Sequence, residues 1–271
     1  MSFQPALPIG GLAGWRFLQR TLPMQQAAHA ETPAVARDAG AFRDRIGEIG
    51  TAAALVEDRQ VLRVALGAFG LQDDLANRYF IRKILEEGTA RPDALANRLT
   101  DKRYAEFSKA FGFGDPGGAA TGSPGFADRI VARYERQSFE VAVGTRDESM
   151  RLALYAEREL AAVAASSGSP RTKWFRVMGT PPLRSVIETA LGLPSSFGQQ
   201  DLDRQLEVFR SRTERMVGAP DIEVFADPKA REALTRRFLL QSELATTEAA
   251  GPAAVALTLL KGGAGPPPLR A

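Results

Sequence analysis

Cysteine is absent from the 271 residues, which excludes disulfides, thiolate zinc sites, iron–sulfur clusters and thiol catalysis together. Histidine is nearly absent. The single copy, His29, sits in the stretch QQAAHAE with no neighbour to orient its ring, and so reads as a surface residue rather than a general acid or base. Long apolar runs are missing too: the nearest candidate, Ala253 to Leu260, falls far short of the roughly 18 residues a membrane helix needs. The first residues hold Pro5, Pro8 and three glycines without a charged or continuous apolar region, so no cleavable secretory signal and no membrane insertion are expected.

Charge of one sign is likewise not concentrated. The formal net charge is +3 and the isoelectric point about 9.4, yet acids and bases alternate, as in Arg82, Lys83, Glu86 and Glu87. That is the pattern of a solvated surface and not of a nucleic-acid footprint. Adjacent acids such as Asp73-Asp74 diverge by about 100° on a helix and cannot form an acid–base pair or metal cage unaided. Glycine pairs such as Gly67 and Gly70 follow helical patterns rather than strands, so they read as helix stops and not as phosphate cradles. No catalytic, cofactor or metal residues are expected from these patterns.

What is present is a train of amphipathic helices, which predicts an all-α protein. Thr32-Pro33 opens a helix in which Val35, Ala39, Phe42, Ile46 and Ile49 recur at three-and-four spacing. Asp58 heads the next, with Val61, Leu62, Ala65, Leu66 and Phe69 as its buried face before Gly70. Leu75, Tyr79, Phe80, Ile84 and Leu85 give the apolar side of the one ending at Gly88. Asp101 caps a helix carrying Tyr104, Phe107 and Phe111. Thr145 with Glu148 has capping-box spacing.

The order then repeats: Leu183 to Leu193 echoes Leu62 to Leu71, Leu202 to Gly218 echoes the helix ending at Gly88, and Phe225 to Phe238 echoes Leu99 to Phe111. Two related three-helix lobes are therefore expected, because one such unit buries too little alone. The expected divisions are residues 1–31, an N-terminal arm and first helix broken at Pro23; 32–114, lobe one; 115–125, a polar glycine-rich linker; 126–261, lobe two; and 262–271, a disordered tail. Behind the flexible start, Trp15 and Phe17 either dock on the parent core or contact a partner. Arg98, Lys102 and Arg103 form a small basic cluster beside Asp101 that pairs internally with Asp101 or Glu106 by default, or else suits a phosphate or an acidic partner.

The segments ALGAFGL (65–71), FIRKILEEG (80–88), ANRLTDKRY with AFGFG (96–114) and the opening SFQPALPIGGLAGWRFLQRT (2–21) resemble a family of bacterial conserved proteins of unknown function. Genes of that family commonly lie in flagellar gene clusters of alphaproteobacteria. The resemblance covers residues 1–114 and only weakly the second half. It implies an all-helical, non-enzymatic structural or assembly factor connected with the flagellum, acting through a flagellar or other protein partner, at the flagellum or in the cytoplasm. It carries no catalytic or ligand residues. The alternatives are a cytoplasmic chaperone or regulatory adaptor of the same system, or an enzyme holding a small anionic substrate near Arg98 and Arg103.

Overall fold

In a computed structural model, which describes the backbone of residues 3–263 and the side chains of residues 3–246, the chain is all-α, with no strand among the described residues. A long helix heads each of two series. The first series is α1 (Gly11–Ala30), α2 (Pro33–Arg45), α3 (Ala52–Glu57), α4 (Arg59–Gly67), a 3-10 turn (Gln72–Ala76), α5 (Arg78–Glu87), α6 (Leu95–Arg98) and α7 (Arg103–Phe111). The second is α8 (Phe126–Gly144), α9 (Glu148–Ala165), α10 (Pro170–Met178), α11 (Pro181–Ala190), a 3-10 turn (Ser195–Gln199), α12 (Leu202–Val217), a 3-10 turn (Ile222–Ala226) and α13 (Pro228–Gly263). The repeat thus extends from α1 to α13, beyond the three-helix unit read from the sequence.

Local chemistry repeats with it. Gly70 and Gly192 both take a left-handed φ, +70° and +62°, so that the leucine after each can donate back into its helix, Leu71 to Leu66 and Leu193 to Glu188. Asp101 accepts from the backbone of Arg103 as Asp227 accepts from that of Lys229, both at 3.0 Å. Packing repeats as well: α2 lies on α4 as α9 lies on α11, and α3 lies on α4 and α5 as α10 lies on α11 and α12.

The two hydrophobic cores do not divide where the linker does. The first joins Phe42, Leu55, Leu62, Phe69, Phe107 and Phe111 to Phe126, Ile130, Val131 and Tyr134 of α8. The second joins Phe139 and Val143, the far end of the same helix, to α9–α13, and also takes in Trp15 and Leu18 of α1. Each long helix therefore gives apolar side chains to the other series' core. The 115–125 segment is not a free linker. Asp115 accepts from the backbone of Thr89 and Ala90, and buried Thr121 donates to the carbonyl of Ile49 at 2.7 Å.

Several expectations need correction. Pro23 does not break the first helix: α1 runs through it, because both sides are anchored, upstream by buried Trp15 and Leu18 and downstream by buried Gln25 and His29. The N-terminal arm is docked, since the Gln25 side chain both accepts from the backbone N–H of Ala6 (2.8 Å) and donates to its carbonyl (3.3 Å), in the manner of a strand partner. Gly14 permits the close turn into α1, for a Cβ there would lie 2.0 Å from the Ile9 carbonyl. Tyr79 is 81% exposed and Ile81 takes the inward position, while Phe80 is half-buried against Tyr104. Asp147, not Thr145, caps α9 through the Met150 N–H; Thr145 ends α8 instead. Of the expected tail, Gly262 and Gly263 end α13, and residues 264–271 lie outside those described.

His29 also proves to be a core residue. It is 8% exposed, its Nε2 lies 2.9 Å from Ser138 Oγ, and its ring meets Phe3 and Phe139 edge-on. Burial holds its pKa below the ordinary 6.5, and Nδ1 has no partner. The stability this group contributes is present above pH 6.5 and is lost as pH falls through the lower folded-state value. Denaturant titrations from about pH 7.5 to about pH 5 should therefore show falling stability, with a flatter profile in His29→Gln. An unchanged profile in the variant would place the acid sensitivity elsewhere.

Candidate functional site

The two series meet along a seam, and the charged residues singled out from the sequence lie there or beside it. On one side α7 faces α10. The backbone N–H of Lys102 donates to the Gly179 carbonyl at 2.8 Å, tying the start of α7 to the end of α10. Glu106 on α7 accepts from Arg176 of α10 at 2.7 Å and from Arg133 of α8 at 3.4 Å. Arg133 in turn stacks over Phe69 at 4.2 Å. One carboxylate thus holds two guanidiniums from the second series against the first, a half-buried arrangement in which charge-assisted bonds outweigh the weak pairing of exposed ions.

Arg103 is part of this framework. Its guanidinium engages Asp101 through two nitrogens and donates to the Gly70 carbonyl at 2.5 Å, so it braces the turn that follows α4. Arg98 stands apart at the end of α6, exposed and without a hydrogen bond or ion pair. The structure therefore does not unite Arg98 and Arg103 in one anion site: one is free and the other is paired.

Within the second series, where α8 packs on α9, Arg158 lies between Glu140 and Glu159. Both carboxylates are buried. Desolvation raises the pKa of Glu140 against the opposing pull of Arg158. Tyr155 beside it is pushed far up by burial. This cluster escaped the sequence reading, because Glu157, Arg158 and Glu159 look like any alternating surface run; the signal was that Tyr155 and Leu160 put the same helix turn inside.

Trp15 cannot be a partner contact. It is 4% exposed within the second core, since α1 begins at Gly11 and turns this ring inward. Phe17 is half-buried on the same helix. Trp174, unremarked in the sequence, is fully buried, stacks on Phe209 at 5.6 Å and donates to the Pro220 carbonyl.

The described residues contain no group of three or more His, Asp or Glu side chains placed to hold a metal ion, and none of their helices is long and apolar enough to cross a membrane. Residues 68–230, more than half of the chain, match the model of a family described as a protein of unknown function, DUF1217. A crystal structure of a protein from Agrobacterium tumefaciens is similar at 26% identity and a TM-score of 0.70, over 89% of this chain and 98% of that one. No protein with a curated description matches.

Proposed function

Because the chain belongs to that family of unknown function, we propose for it a role as a non-enzymatic structural or assembly factor of the bacterial flagellum, working through protein contacts. The flagellar part of the reading comes from the resemblance of residues 1–114. The contact part is carried by one observation, an exposed apolar surface where α1 meets α13. Glu243 lies against Gly11 there, its carboxylate occupying the space a Cβ would fill. Around this junction Ile9, Leu240 and Leu244 stand 55, 41 and 57% exposed. Large apolar groups left in water at one place are the usual mark of a protein-binding surface.

Deletion of the gene followed by imaging of flagella tests the association with the organelle. Replacing Ile9 and Leu244 together by glutamate tests the surface: loss of motility is expected while circular dichroism and the melting temperature stay close to those of the parent. Normal flagella in the deletion strain would overturn the flagellar reading. Normal motility in the double variant would remove the surface from it. Co-purification with basal bodies, against a purely cytoplasmic pool, separates a structural part from a chaperone or adaptor.

A further inference from the structure

Beyond that reading, we infer that the cleft between α7 and α10 is a binding site for an organic anion with an apolar body. The cleft has a volume of about 490 Å³ and is lined by Ala105 and Phe175 below a rim of Lys102, Lys109 and Arg176. A space of this size accommodates a small molecule rather than a bare ion. Its surface is mainly apolar, which a hydrated inorganic ion would leave uncovered.

The polar groups at the rim are donors with capacity left over. Lys102 Nζ donates to the carbonyls of Asn97 and Leu99 at 2.9 and 2.8 Å, and an ammonium carries three N–H groups. Lys109 is exposed and makes no hydrogen bond or ion pair. Arg176 meets Glu106 through Nε and Nη2, leaving Nη1 for a ligand. The lining contains one carboxylate, Glu106, and it is already matched by Arg176 and by Arg133 from behind. The cleft is therefore net positive, and its lining combines two lysines with a half-buried phenyl ring, over which Arg171 also lies at 5.0 Å. A carboxylate, sulfonate or phosphate joined to a hydrocarbon or aromatic body answers both halves of that surface, and neither half alone would select it.

The walls belong to different series, so a ligand here would also brace the seam that Glu106 already ties. The test uses the full chain and anilinonaphthalene sulfonate, a dye that is both anionic and apolar and that fluoresces when removed from water. One dye should bind per chain. Octanoate should displace it, whereas acetate and inorganic phosphate at the same concentration should not. Lys109→Glu should weaken binding by about tenfold or more, as expected when one attraction becomes a repulsion at a partly shielded site, and Lys109→Arg should restore it. Because Lys109 is exposed and unpaired, the circular dichroism of both variants should match the parent. Equal dye affinity in Lys109→Glu would overturn the inference, as would displacement by phosphate as effective as by octanoate.

Discussion

Replacing Trp15 by alanine should cost about 3–5 kcal/mol, the range found for deleting a large aromatic ring from a packed core. The ring is 4% exposed, shares a core with Met150, Trp174 and Phe238, and cannot be relieved by collapse, because α1 is pinned on both sides. Gly14 lies so close to the Ile9 carbonyl and the Met150 side chain that a Cβ would not fit between them, and Gln25 clasps the backbone at Ala6. Removing residues 2–17 should then do more than the single change, since it takes away the ring, the clasped arm and the first turns of the helix. A chain of this kind has only about 5–15 kcal/mol of stability to lose. Guanidinium titration monitored by circular dichroism decides the matter; a loss below about 1 kcal/mol for Trp15→Ala would mean that the ring is not part of the working core.

Severing the chain near Gly118 should leave neither half able to fold alone. The piece that ends there keeps the first core but lacks Phe126, Ile130, Val131 and Tyr134 of α8. Burying four such side chains is worth roughly 6–12 kcal/mol, which matches the whole stability of a typical domain. The other piece lacks Trp15 and Leu18. Expressed separately, each half should show no sharp thermal transition; mixed, they should recover one, because each carries the helix that the other needs. A cooperative transition in either piece alone would show that the division at the linker was sound after all.

Most of the secondary structure was legible from the residues. The Val35 to Ile49 stripe and the Val61 to Phe69 face are buried as their spacing requires, and Asp58 caps its helix through the N–H groups of Gln60 and Val61. Periodicity reports which face of a helix is apolar. It does not report which other helix covers that face. Hence Trp15 read as a partner contact, whereas the core it joins is built mainly from α8–α13, more than a hundred residues away. Pro23 read as a break because local propensity disfavours it there, whereas tertiary anchors on both sides override the preference. The charged seam was the least legible. Glu106, Arg133 and Arg176 are spaced 27 and 43 residues apart in sequence, and only the packing of α7, α8 and α10 makes them neighbours. Tyr79 and Phe80 exchange prominence with Ile81 for a smaller reason: in a strongly apolar turn, several phases fit the same pattern.

The placement of α1 also sets a timetable for synthesis. A ribosome adds about 5–20 residues each second, and some 220 residues separate Trp15 from Phe238 and Leu239, its last core companions on α13. For roughly 10–45 seconds at that rate the first helix is out of the tunnel without its complete cover. During that interval Trp15, Leu18 and Phe17 form an adhesive strip on a nascent chain, and the cell must keep it from foreign surfaces until the final helix arrives.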